Sequence, residues 1–583
     1  MYALVIPALK LPRQMAGAFD YAVPDALAAE IGPGSVVMVP WRGRAVPGVV
    51  TALRKTADVD AKRVKTITGI CAPERVPEEL LNVFAWMAEK YAASPATVVQ
   101  CFLPTIPKRV NADASPAPEK KPLKSREFKG RVVRYSAPAA KLVETVAVVR
   151  ASLAAGRGAI VVVPHLDDVR DAVVALRESC GDDVVAEFHG NMRMTALWKA
   201  WRKAASAAPA VIVGTRMAVG APVASLGAIV VHECDSQDLK QYDQNPRYDS
   251  RLVARRRAEA AGAELVFMAH APRAEEYALA TRGGYAWEEP PVRTEPSDIV
   301  IAEFPRGARS AEERLLTPTA EEAATEALRS GKKVLLFHNR RGTATALICK
   351  DCGRAERCET CAAPLRVHGD GLHCHRCGRT SQSPLVCSAC ASPSFRTIGL
   401  GTGAVAPFLS KAFPEAKVVQ IDADSRTADL SEADIVVGTQ LLLHAASESL
   451  LAPSFGAVIA TSADDLLGHP GFRATENAWR TMQTLADVAA ASGCRLVLQT
   501  LDGENPGVRR LMADPEAFLK DELAARDAAG FPPKADLVAV TAVAPTEAEA
   551  RGKIERLAAS LRSVAGTTIS VSGPLRPSNP FRH

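Results

Sequence analysis

Eight of the thirteen cysteines in this 583-residue chain fall within 42 residues, as four C-x-x-C pairs: Cys349/Cys352, Cys358/Cys361, Cys374/Cys377 and Cys387/Cys390. A C-x-x-C pair on a tight turn aims two thiolates at one point, and two such pairs complete a tetrahedral S4 site. Four pairs therefore predict two structural zinc ions. Twelve residues separate the second pair from the third, a zinc-ribbon-like spacing, and the first and fourth pairs flank them. The expected scheme is nested, with Cys349, Cys352, Cys387 and Cys390 on one zinc and Cys358, Cys361, Cys374 and Cys377 on the other. Disulfides or a redox dithiol are the competing readings. Against them, the chain opens Met-Tyr-Ala-Leu without a basic region and apolar signal stretch, which predicts a reducing, cytoplasmic compartment. Closed S4 sites shape a domain and do no chemistry. His368, His373 and His375 are expected to be bystanders, and Cys71, Cys101, Cys180, Cys234 and Cys494 to be small buried hydrophobes.

The elements that position these cysteines follow from pattern and length. A chain of this size predicts about four domains. Hydrophobic content of 48% and charged content of 23% are those of a globular protein, and a net charge of +6 permits a nucleic-acid partner without demanding one. No apolar run reaches the roughly 18 residues of a membrane span. Residues 1–107 predict a β-rich module, with strands at Tyr2–Leu9, Val36–Trp41 and Val46–Leu53, then a helix at Pro77–Ala92. Residues 108–130 carry seven Lys or Arg against three acids and read as an exposed basic linker. Short continuous apolar runs at 159–164, 210–214, 228–231 and 265–268 predict a parallel sheet covered on both faces, lobe one, over 131–300. A second α/β lobe opens at Lys333–Phe337 (301–346), is interrupted by the cysteine module (347–395), and resumes over 396–504 with runs at 418–421, 435–438, 457–460 and 496–499. Residues 505–583 predict an α+β domain: helices at Pro515–Ala529 and Thr546–Val564 around a strand at Leu537–Val543.

Several strings in this order resemble one family. They are Phe19-Asp20-Tyr21-Ala22-Val23-Pro24, Val213-Gly214-Thr215-Arg216, Phe337-His338-Asn339-Arg340-Arg341-Gly342 leading into the cysteines, Gly399-Leu400-Gly401-Thr402-Gly403 leaving them, Val437-Gly438-Thr439-Gln440, and Gly530-Phe531-Pro532-Pro533. They resemble the bacterial replication-restart helicases of the PriA (primosomal protein N′) family, over nearly the whole chain. The resemblance implies two RecA-like helicase lobes with a two-zinc insertion in lobe two, an N-terminal module holding the 3′ end of a nascent strand, and a C-terminal DNA-binding domain. It places Asp20, Gly34 and Lys65 at the N-terminal pocket. Thr215, Arg216 and Thr439 become DNA-contacting positions, since turns presenting N–H and hydroxyl groups to phosphate need no ATP. The implied partners are branched and single-stranded DNA, primosome proteins, the single-stranded-DNA-binding protein and the replicative helicase loader, around a monomer near the nucleoid.

The motor motifs depart from that family. A helicase needs a Gly-x-x-x-x-Gly-Lys-Ser/Thr loop to wrap phosphate and ligate Mg²⁺. The matching segment is Tyr135-Ser136-Ala137-Pro138-Ala139-Ala140-Lys141-Leu142, in which only Lys141 remains. The acidic box reads His232-Glu233-Cys234-Asp235: His232 replaces the metal-binding aspartate, and Glu233 stands where a water-activating base would sit. Neutral imidazole suits a hard cation poorly. Two arginine positions hold Val488 and Ala491, and Met268-Ala269-His270-Ala271-Pro272-Arg273 lacks the family's Ser-Ala-Thr element. Lys141 and Glu233 thus mark a degenerate site with no complete place for ATP and Mg²⁺. The winged-helix domain usual after the N-terminal module is absent, as in the actinobacterial branch. The leading expectation is a non-hydrolysing scaffold that recognises forks and recruits restart partners. A working ATP-dependent 3′→5′ helicase is the alternative, and a two-lobe metabolic enzyme with a zinc ribbon a third class.

Overall fold

A computed structural model describes residues 1–15, 17–107, 127–135, 138–289, 298–305, 315–338, 345–359, 365–368, 371–374, 379–381, 386–398, 402–421, 430, 432–439, 455–468, 471–566 and 569–573. The chain divides into two compact units, Met1–Pro272 with Glu276–Pro291, and Arg273–Glu275 with Val292–His583.

The first unit opens with six strands: β1 (Tyr2–Pro7), β2 (Phe19–Ala22), β3 (Ser35–Trp41), β4 (Arg44–Arg54), β5 (Lys65–Thr66) and β6 (Gly69–Arg75), in the order β5-β2-β1-β4-β3-β6. Only β2 and β5 run parallel. Alternation along β1 sends Ala3 and Val5 into a core with Tyr21, Val37, Val39 and Val50. Helices Glu78–Lys90 and Pro95–Phe102 follow.

Seven strands then form a parallel sheet: β7 (Lys129–Arg134), β8 (Gly158–Val162), β9 (Val185–Glu187), β10 (Val211–Gly214), β11 (Leu226–Val231), β12 (Glu264–Ala269) and β13 (Ala286–Glu288), in the order β13-β7-β12-β11-β8-β10-β9. The strands β8, β10 and β11 are buried throughout because helices cover both faces. Strand β7 begins inside the expected basic linker, whose residues 108–126 lie outside the described ones. The N-terminal helices share one core with this lobe: Phe102 stacks on Phe84 at 5.4 Å, tilts against Tyr248 at 5.3 Å, and leaves no space for a Cβ at Gly220.

In the second unit β14 (Asp298–Glu303) and β15 (Lys333–Phe337) precede the cysteine module, which contributes β16 (Thr345–Cys349), β17 (Arg366–His368), β18 (Gly371–His373), β19 (Thr380–Ser381) and β20 (Phe395–Ile398) as an antiparallel sheet. Strands β21 (Val418–Ile421), β22 (Ile435–Gly438), β23 (Phe455–Ala460) and β24 (Arg495–Thr500) complete a parallel sheet in the order β14-β24-β23-β15-β22-β21. The cysteine module is thus inserted between two strands of lobe two.

Helix Pro515–Ala529 packs on helix Ala474–Ser492 of that lobe, where Phe518 stacks on Trp479 at 4.4 Å and the buried Arg526 pairs with Glu476 at 2.9 Å and Glu522 at 3.0 Å. Helix Glu547–Val564 also forms. The strand expected at Leu537–Val543 does not. Those residues are coil, with Leu537, Val538, Val540 and Val543 exposed. An extended apolar segment becomes a strand only when a neighbour takes up its backbone hydrogen bonds, and no described segment does so. Among the described residues the C-terminal part is helical, not α+β.

Candidate nucleic-acid interface and metal centre

The four outer cysteines converge. The sulfurs of Cys349, Cys352, Cys387 and Cys390 all lie within 4.8 Å of one another, with Cys349 to Cys390 at 3.5 Å and Cys352 to Cys387 at 3.7 Å. Two matching turns create this geometry. The Cys349 N–H donates to the Arg354 carbonyl at 3.0 Å and the Gly353 N–H to Cys349 at 3.1 Å; the Cys387 N–H donates to Ser392 at 2.8 Å and the Ala391 N–H to Cys387 at 3.0 Å. Gly353 and Ala391 both turn left-handed, at φ 74° and 59°. The donor chemistry fits a thiophilic cation. Backbone N–H groups, that of Cys352 foremost, hold the Cys349 thiol down at about 6. The Cys390 thiol is pushed up to about 12: the Ser392 N–H favours its thiolate, but desolvation and the side chains of Cys352, Cys349 and Cys387 outweigh it. Four thiols this close ionise together only with a cation among them.

Of the inner set, Cys358 and Cys374 are buried, while Cys361 and Cys377 lie outside the described residues. The Cys374 N–H donates to the Arg379 carbonyl at 2.8 Å, the same closure as in the two outer turns.

The region matching the nucleotide site is closed by its own side chains. Lys141, in helix Pro138–Ala154, directs Nζ to Glu233 Oε1 at 2.9 Å, and the same oxygen accepts from the Tyr135 hydroxyl at the end of β7. Glu233 adopts φ 45°. Burial works against its charge, but Lys141 and the Tyr135 hydroxyl hold its carboxyl below the usual range. His232, 1% exposed, places Nε2 2.7 Å from Thr145 Oγ1. Because the Thr145 hydroxyl donates to the Lys141 carbonyl at 2.8 Å, Nε2 is left to donate to it. Burial, and then Lys141, push the His232 imidazole well below its ordinary value, so it is neutral, and its buried Nε2 is engaged with Thr145. Val488 is buried in helix Ala474–Ser492 and Ala491 is exposed on it. Ser136, Ala137 and the segment 339–344 lie outside the described residues. Sequence reasoning missed Tyr135 and Thr145, although Tyr135 directly follows a strand and faces the acidic box.

In the N-terminal module Asp20 and Lys65 sit on adjacent strands, with Tyr21 opposite Lys65. The Asp20 side chain is 4% exposed; Oδ2 accepts from the Asp58 N–H at 2.8 Å, while Oδ1 has no hydrogen-bond partner and lies 3.8 Å from Arg54 Nη1. Lys65 is exposed. Gly34 is closely packed against backbone. It is buried, its N–H donates to Val50 at 2.8 Å, its carbonyl accepts from Val76 at 2.9 Å, and a Cβ there would lie 2.2 Å from the Val76 oxygen. Gly43 has open space around it, at φ 82° in the turn between β3 and β4, where Trp41 meets Phe19 edge-on at 4.8 Å.

Elsewhere Thr215 begins a 3₁₀ turn, Arg216–Gly220, in which Arg216 Nη1 donates to the Asp238 carbonyl at 2.8 Å. Thr439 is buried at the end of β22, with Gln440 beyond the described residues.

Residues 8–104 match the family model of the PriA 3′ DNA-binding domain. The replication restart protein PriA of Bacillus subtilis is 29% identical over 72% of this chain and 54% of its own length. The likeness to PriA proteins extends over most of the chain. The probable PriA of Mycobacterium tuberculosis is 28% identical over 91% of this chain and 85% of its own. The match to the Bacillus and Synechocystis relatives spans about half their length. Among solved structures, RecG bound to a three-way DNA junction is similar at a TM-score of 0.38 and 13% identity, over 74% of this chain and 47% of that one. That likeness takes in both parallel-sheet lobes and the cysteine cluster as well as the N-terminal module. No described helix is long and apolar enough to cross a membrane.

Proposed function

We propose that this protein binds branched DNA at stalled forks and serves replication restart as a scaffold that does not hydrolyse ATP. The observation that carries the reading is the Lys141–Glu233 ion pair beside a buried, neutral His232. The cation that would meet a phosphate already has a carboxylate, and the position that would ligate Mg²⁺ offers an imidazole bound to Thr145. With Val488 and Ala491 at the arginine positions, a contribution of about 10³ to 10⁵ in rate is also gone.

DNA is held through the 3′ DNA-binding module, where Asp20, Lys65 and the Arg42-Gly43 turn line the candidate end-binding region, and through Thr215 and Arg216 in lobe one. The affinity rests on phosphate contacts and falls log-linearly with salt. Two zinc ions, one on the outer and one on the inner cysteine set, build the insertion. A monomer in the cytoplasm, near the nucleoid, then recruits primosome proteins, the single-stranded-DNA-binding protein and the helicase loader.

The test is ATP hydrolysis with and without forked DNA, in the intact chain and in Lys141→Ala. No DNA-stimulated turnover is expected from either. Turnover that Lys141→Ala abolishes would establish the alternative, an active 3′→5′ helicase.

A further inference from the structure

Among the described residues the cysteine centre meets lobe two through the charged Arg357 and the apolar Ile348. Residues 354–357 are strapped to both cysteine turns: the Arg354 carbonyl closes the first, Ala355 bridges Ile348, and the Glu356 N–H donates to Leu347 at 2.9 Å. The buried Glu356 carboxylate then accepts from the Ser388 N–H at 3.1 Å, inside the second turn. Arg357 leaves this strap toward helix Ala463–Leu467. Its Nη2 lies 3.5 Å from Asp464 Oδ1 and 4.0 Å from Asp502 Oδ2. Beside it Ile348 packs with Leu501.

Asp464 is 3% exposed. Its Oδ2 accepts from the Thr500 hydroxyl at 2.9 Å and the Leu501 N–H at 2.8 Å, while Oδ1 has no hydrogen-bond partner. A carboxylate so far out of water depends on a nearby cation, and Arg357 stands against its bare oxygen. That guanidinium is held there by a strap whose two ends are the metal-binding turns.

We propose that the Cys349/Cys352/Cys387/Cys390 centre is a latch: with metal bound, it fixes Arg357 on Asp464 and so makes the order of helix Ala463–Leu467 and the end of β24 depend on the ion. Arg357 and Asp464 are positioning residues. Without the ion the four thiols cannot share one point, the strap relaxes, and the Asp464 charge loses its partner. The inference rests on the metal reading of the cluster.

Hydrogen exchange of the full chain tests it, with the Leu501 amide as reporter and metal content measured by elemental analysis in every sample. In metal-loaded Arg357→Ala, exchange at 463–467 and 501 is expected to rise about three- to tenfold, tenfold being about 1.4 kcal/mol, with metal content unchanged. Stripping the wild type with a chelator should raise exchange there equally, and stripping Arg357→Ala should add nothing. Should that variant fail to fold, Asp464→Asn serves, and its helix should no longer respond to metal. Exchange in loaded Arg357→Ala equal to wild type, or an undiminished response to stripping in either variant, overturns the latch. Wild-type protein that carries no metal overturns the metal reading instead.

Discussion

The first unit should lose stability in mild acid through one residue, His232. Its imidazole is buried in contact with Thr145 and is pushed well below the ordinary value, by burial first and the Lys141 charge second. The unfolded chain takes up a proton near pH 6.5, whereas the folded one does not until far lower pH. Below about 6.5 the unfolded state therefore binds more protons, and stability falls as pH falls. At pH 5.5, one unit below the unfolded value, the loss is at most on the order of 1 kcal/mol, and at pH 7.5 it is negligible. Carboxylates titrate too, so the measured quantity is the difference between wild type and His232→Gln, which keeps an amide donor for Thr145 but has no proton to gain. Urea melts at pH 7.5 and 5.5, followed by hydrogen exchange of β11, give both stabilities. The variant should lose on the order of 1 kcal/mol less than wild type between the two. Equal losses would mean that His232 accepts its proton in the folded state, and the picture of a sealed, neutral imidazole would be wrong.

Two further outcomes follow from the geometry. Gly34→Ala should destabilise the first unit by at least about 2 kcal/mol in a urea melt, since the new Cβ meets the Val76 carbonyl oxygen and the backbone is already at φ 85°. Chelator-washed, reloaded protein should carry about two zinc ions by elemental analysis, and Cys352→Ser should lose one of them with both parallel sheets still protected from exchange except at the end of β24.

The parts legible in the sequence were those with local causes. C-x-x-C spacing dictates its own turn, and Cys349, Cys352, Cys387 and Cys390 converge as their spacing required. Strands buried on both faces carry continuous apolar runs, so β8, β10, β11, β12 and β15 stand out. Strand β7 did not, because it carries Arg131, whose charge is met by Glu264 at 3.0 Å and Glu288 at 3.0 Å, partners far away in the chain. Leu537–Val543 is a nearly continuous apolar, Val-rich run like a strand, yet among the described residues it lacks a pairing partner, which no local pattern reports. Gly34 and Gly43 look alike in a string of letters; only the neighbouring Val76 carbonyl separates a packing glycine from an open turn. The closure of the nucleotide site needed Tyr135, Thr145 and Glu233 from three separate elements.

Phe102, wedged between Phe84, Tyr248 and Gly220, also has a geometric consequence. Because strands β3, β4 and β6 share a core with lobe one and the same sheet carries β2, the span from Asp20 to the Thr215 turn is set by packed side chains and sheet hydrogen bonds, as in a fixed calliper. On the proposed function, a fork whose 3′ end and flanking backbone match that span would be gripped at both jaws, and one offset by a few nucleotides only at one.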